Sequence, residues 1–188
     1  MNGESTAREG TASSTAPERR AQLFSQATSE FAGAMTRVVR AYEIHAETRR
    51  DLLQDMQIAL WNSLDGFDGR CSLRTWVYRV AHNIGAKHAL KQARAHASRH
   101  IGLDDLEALP AESSAETRVE REHAWELLLG FIQRLRPLDR QAMTLYLEDL
   151  DAAAIADITG LSPENVATKI HRIKRVLARH FTGGREHE

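Results

Sequence analysis

Cysteine is nearly missing from this chain: Cys71 is the single one among 188 residues. No internal disulfide can form and no thiolate cluster exists for a structural zinc, so a reducing, cytoplasmic setting is expected. Aromatics are only 6% of residues and there are four prolines, a composition that suits helices. No apolar run approaches the ~20 residues needed to span a bilayer, so membrane insertion is not expected. Met1 to Ala16 is rich in Ser, Thr, Ala and Gly and has no apolar centre, which excludes reading it as a secretory signal. The chain also has no His-Glu-X-X-His and no glycine-rich phosphate loop. His82, His88, His96 and His100 have no acid or thiolate neighbours in sequence. No metal, cofactor or catalytic residue is therefore expected, and the chain does not read as an enzyme.

The most local absence is that of acid. Between Arg70 and Leu103 there are seven Lys or Arg, four His and no Asp or Glu. The net charge of −1 hides this segregation. Asp51 to Asp68 carries four acids and no Lys or Arg, Asp104 to Glu122 seven acids and two Arg, and Asn165 to Gly184 five Lys or Arg and no acid. Such blocks predict separate surfaces with different partners. The acid-free span also carries Trp76 and Tyr78 and a helical apolar stripe. A folded, positive, aromatic-bearing surface suits a polyanion with partly exposed bases, since phosphates pair with the cations and bases stack on rings.

The organisation is all-α: two small helical domains joined by a flexible acidic linker. Residues 1–20 read as a disordered tail. A first helical domain spans 21–98, and a linker containing Gly102 and Pro110 spans 99–119. A second helical domain spans 120–182 and ends in a helix-turn-helix.

In the first domain, Leu52, Leu53, Met56, Ala59, Leu60 and Leu64 share one helix face and form a core stripe. Ile58 and Trp61 fall outside it, near Asp51, Gln54 and Asp55. They either dock a partner or lie under a third helix of the same domain. Asp65 to Ser72 holds two Gly and two Asp, and reads as a loop in which Ser72 caps the next helix. There Leu73, Trp76, Val77, Val80, Ala81 and Ile84 cluster, so Trp76 is expected in the core. Arg74, Thr75, Tyr78, Arg79, His82 and Asn83 are expected to face out, as residue types suited to phosphates and base edges.

In the second domain, Leu127, Leu128, Phe131, Ile132 and Leu135 mark one helix. Pro137 opens another, with Leu138, Ala142, Met143, Tyr146 and Leu147 as its apolar residues. A short helix from Asp151 to Thr159 follows. Gly160 turns the chain, and Ser162-Pro163-Glu164 starts a long last helix. Val166, Ile170, Ile173 and Leu177 occupy one sector of it; Asn165, Thr168, Lys169, Arg172, Arg175 and Arg179 occupy the other. A recognition helix needs that partition.

The first-domain segments Asp51-Leu52-Leu53-Gln54-Asp55-Met56, Leu60-Trp61 and Leu73 to Asn83 resemble region 2 of bacterial extracytoplasmic-function (group 4) sigma factors. Leu135 to Arg140, and Ile155 to Leu177, resemble region 4. The resemblance covers about 22–98 and 123–181. It implies that Asp51, Gln54, Asp55, Ile58 and Trp61 dock on the clamp of core RNA polymerase. It implies contacts to the promoter −10 element from Asp68, Arg70, Ser72, Arg74, Tyr78, Arg79, His82, Asn83 and Lys87. Asn165, Thr168, Lys169, Arg172 and Arg175 would read the −35 element. Partners implied are core RNA polymerase, promoter DNA and an anti-sigma factor. The chain departs from the family pattern at Ala152-Ala153-Ala154, where acidic or aromatic residues are usual, and at Ala167, where a cation is usual.

A competing reading is a stand-alone helix-turn-helix regulator whose first domain binds a partner or dimerises. It would need a symmetrical operator. Cys71, beside Arg70 and Arg74, is either a low-pKa sensing thiol or a passive loop residue.

Overall fold

The computed structural model describes residues 15–96 and 118–182. Among them are eight α-helices and one short 3-10 turn, Leu64–Gly66. The first unit holds α1 (Ala16–Glu30), α2 (Ala32–Tyr42), α3 (Ala46–Ser63) and α4 (Leu73–His96). The second holds α5 (Arg118–Arg134), α6 (Pro137–Leu147), α7 (Ala152–Thr159) and α8 (Pro163–Thr182). The expected linker lies outside the described residues up to position 117, and its last two residues, Arg118 and Val119, already belong to α5.

The boundary expected at residue 20 is corrected. Helix α1 starts at Ala16, because Pro17 sits in the first turn and the Glu18 carboxylate accepts the Thr15 backbone N–H at 2.9 Å. Arg20 ties the new turn to the rest of the unit through Asp65 at 2.6 Å.

The core follows the helical spacing of apolar residues. Leu52, Met56, Leu60 and Leu64 recur every fourth residue and are buried. On α2 the inward residues are Met35, Val38, Val39 and Tyr42. Helix α4 is central, packed against α2 and α3 of its own unit and against α6 and α7 of the second. Its closest approach is to Tyr42: a Cβ at Gly85 would lie 2.5 Å from that ring, so the helix has no side chain there. Trp76 lies in the core region as expected, with its indole N–H donated to Ser63 Oγ at 2.9 Å and Phe67 edge-on at 5.4 Å.

The second unit is built around Ile132, Leu135, Ala142, Leu145, Ile155, Val166, Ile173 and Val176. Helix α6 differs from expectation: Leu138 and Leu147 are exposed, while Asp139, Arg140, Gln141 and Thr144 are buried. The reason is that α6 is covered on several sides, by α5, α7 and α8 and also by α2 and α4 of the first unit. Gly160 ends α7 in the left-handed region at φ 75°, where glycine carries no Cβ penalty. The Asp151 carboxylate caps α7 at the Ala154 N–H, 2.8 Å away, and Ser162 Oγ accepts the Asn165 N–H of α8.

Candidate nucleic-acid interface

Helix α3 presents Asp51, Gln54, Asp55 and Ile58 to solvent, with Ile58 51% exposed. Asp55 and Ile58 line an open groove of about 400 Å³ between α3 and α4, shared with Asn62, Lys87 and Lys91. The structure thus brings the acidic α3 edge next to the basic α4 edge. Trp61 does not join them. Phe24 of α1 packs edge-on to it at 5.2 Å and the Arg20 guanidinium covers it at 4.5 Å. Of the two alternatives for Trp61, cover by a third helix is the one observed.

The loop before α4 is held by short-range contacts. The Arg70 backbone N–H and guanidinium both donate to Asp68, and they hold the Asp68 carboxyl below its ordinary range. Gly69 takes φ 79°, and Ser72 Oγ accepts the Thr75 N–H at 3.0 Å. Arg70 and Ser72 remain exposed, as do Asn83 and Lys87 further along α4.

Two α4 residues expected to face out do not. His82 is fully buried against α2, its Nδ1 3.0 Å from the Tyr42 hydroxyl. Burial drops its pKa to about 3, so it is a neutral core residue, and its assignment as a DNA contact is corrected. Tyr78 is also buried, and its hydroxyl donates to Glu148 at 2.9 Å. Burial beside that carboxylate pushes the phenol up to about 12. A phasing argument assumes one inward face, whereas α4 is packed on two.

Glu148 gathers groups from two helices of the first unit. It ends α6, and its carboxylate accepts from Arg37 of α2 through both Nε and Nη2, the latter at 2.6 Å. The carboxylate also accepts from Tyr78, while its backbone carbonyl accepts Arg74 Nη2 at 2.6 Å. Nearby, Arg79 donates to the Asp157 carbonyl at 2.7 Å and Gln133 to the Arg40 carbonyl at 2.8 Å. Arg140 lies 5.3 Å over the Tyr42 ring. Arg74 and Arg79, expected at the promoter, are thus engaged by the second unit. Sequence reading missed Glu148, Arg37 and Arg140 because nothing local marks a partner 111 positions away.

On α8, Asn165, Thr168 and Arg175 are exposed and Arg172 is half-exposed, opposite buried Val166, Ile170 and Ile173. Lys169 is turned partly inward: its ammonium sits 2.5 Å from the buried carboxylate of Asp139. The other four positions form one outward face of a helix that follows a three-residue turn, the geometry that enters a major groove.

Two family models match the chain: Sigma-70 region 2 over residues 29–95 and Sigma-70 region 4 over residues 125–177. The RNA polymerase sigma factor YlaC of Bacillus subtilis is 30% identical over 148 residues, covering 77% of this chain and 83% of that protein. The ECF RNA polymerase sigma-E factor of Escherichia coli K12 is 28% identical over 131 residues, covering 66% and 68%. Among solved structures, CnrH in complex with the cytosolic domain of CnrY matches with a TM-score of 0.60 at 20% identity, over 85% of this chain and 92% of that one.

Proposed function

This chain belongs to the extracytoplasmic-function (group 4) sigma factors, RNA polymerase subunits that confer promoter recognition without catalysing a reaction, and from that premise we propose how its two units divide the work. The first unit docks on the polymerase clamp through Asp51, Gln54, Asp55 and Ile58. It opens and holds the −10 element through the loop residues Asp68, Arg70 and Ser72 and the α4 residues Arg74, Arg79, Asn83 and Lys87. The second unit reads the −35 element with Asn165, Thr168, Arg172 and Arg175. The observation that carries this reading is the pairing of the two surfaces in one chain, a basic helix behind a tight Gly loop and a solvent-facing recognition helix, within the spans matched as regions 2 and 4.

CnrH was solved with a protein partner. By analogy we extend the proposal to an anti-sigma factor that covers the α3 and α8 faces of this chain.

The test is runoff transcription from genomic fragments by core polymerase with and without the full chain. The expected outcome is a small set of promoter-specific transcripts that appear only with the chain. An Asn165→Ala, Thr168→Ala double variant should lose those transcripts by at least about tenfold while still binding core enzyme, since each lost base contact costs roughly 1–3 kcal/mol. Absence of any chain-dependent start site would overturn the reading.

A further inference from the structure

Glu148 stands where a carboxylate is least favoured. It sits at the C-terminal end of α6, where the helix dipole repels an anion, and it is buried. The next residue, Asp149, is the one non-glycine among the described residues with positive φ, at 58°. Among the described residues, no cation of the second unit lies on the Glu148 carboxylate to offset these costs. The groups that do so, Arg37 and Tyr78, belong to the first unit, with Arg74 on the same residue's carbonyl.

We propose that Glu148 is an intramolecular latch: it holds the two units closed, and in that state Arg74, Tyr78 and Arg79 are withheld from nucleic acid. This rests on the assignment of α4 to DNA. The Nη2 donors of Arg74 and Arg79 that are held on the Glu148 and Asp157 carbonyls are not free for a phosphate in that geometry, and the Tyr78 ring cannot stack on a base while it is buried. Opening must therefore precede contact through these groups. Binding to polymerase, which would separate the units along its surface, is the event that would open the latch. Other exposed cations of the first unit, among them Arg70, Lys87, Lys91 and Arg94, stay available in the closed state and would give weaker DNA binding by the free chain.

The test uses the full chain. Glu148→Gln and Arg37→Gln remove the charge pair without touching any residue assigned to DNA or polymerase. Small-angle X-ray scattering reads closure, and fluorescence anisotropy with a labelled mixed-sequence single-stranded oligodeoxynucleotide reads access to α4. Both variants should show a larger radius of gyration. They should also bind the oligonucleotide about tenfold more tightly, the gain expected if the open fraction rises from about a tenth to near one. Arg74→Ala should remove most of that gain in the Arg37→Gln background and have little effect in the parent chain. The exchange Arg37→Glu with Glu148→Arg should restore the compact scattering. If Glu148→Gln fails to fold, Arg37→Gln carries the test, because the Arg37 side chain is half exposed. Unchanged scattering in Arg37→Gln overturns the latch, whatever happens to DNA affinity. Expanded scattering with unchanged affinity upholds the latch and overturns the assignment of α4 to DNA instead.

Discussion

His82 shows what a single buried residue does to this molecule. The imidazole is enclosed by its own helix and by Tyr42, which Arg140 overlies, and it stays neutral in the folded chain down to about pH 3. The unfolded chain takes up that proton near the ordinary value of 6.5. Between those values the unfolded state binds more protons, so stability falls as pH is lowered through the window and is unaffected above it. One proton gives a slope of at most about 1.4 kcal/mol per pH unit. Glu43 adds to it in the same direction only below its ordinary value of 4.5: burial opposes its charge, but the His45 backbone N–H and His88 outweigh that and hold its pKa down, and it loses those contacts on protonation. Urea unfolding midpoints at pH 7 and pH 5 should therefore differ in the parent chain. The difference should largely disappear in His82→Gln. Gly85 is a second such residue. Alanine there would gain helix propensity, but its Cβ would fall 2.5 Å from the Tyr42 ring, which has core on its other side. Gly85→Ala should lose about 1–2 kcal/mol net, read as a lower urea midpoint with unchanged slope.

At the scale of elements, the helices that begin with a strong local signal are those the sequence makes legible. The Pro137 start, the Gly160 turn and the Ser162-Pro163 start all stand where the residue types place them. Asp151 adds a cap whose value can be measured. Asp151→Ala should cost about 1 kcal/mol in thermal unfolding, and Asp151→Asn should cost almost nothing, because the amide oxygen can accept the same Ala154 N–H. The candidate site was legible in part. Exposed Ile58, Asn83, Asn165 and Arg175 fall where helical phase places them, off the apolar stripes of α3, α4 and α8, and exposed Arg70 lies in the loop that Gly66 and Gly69 mark. Phase failed on His82 and Tyr78 because α4 packs on more than one face: α2 buries His82 against Tyr42, and Glu148 of the second unit takes Tyr78, both distant in sequence. It failed on Lys169 for a related reason: a long flexible stem lets an outward position send its ammonium back to Asp139. The start of α1 was hidden because a helix of mean composition carries its signal in the cap, Thr15 with Glu18, and in a contact to Asp65 that sequence distance conceals.

For the whole molecule, the segregated charge makes salt the informative variable. In the closed arrangement Arg74 and Arg79 each donate Nη2 to a main-chain carbonyl of the second unit, at 2.6 and 2.7 Å, which holds both guanidinium groups on that unit and away from their full reach to a phosphate. A chain that binds DNA without them releases fewer counterions. For single strands, log affinity falls with log salt by about 0.7 for each phosphate neutralised. Release of both guanidinium groups should therefore steepen the line by about 1.4 in Arg37→Gln relative to the parent chain. Arg37 itself lies on α2, is paired with Glu148 and is not among the residues assigned to DNA, so its loss should not reduce the slope. Anisotropy titrations over about 50 to 200 mM salt span the range in which such differences are measurable. Arg79→Ala in the Arg37→Gln background should return about half of the added slope, and in the parent chain it should change the slope little. Parallel lines for the two proteins would mean that the cations of α4 are equally accessible before and after the charge pair is removed, and the contacts of Glu148 and Asp157 would then stabilise the fold without governing its access to DNA.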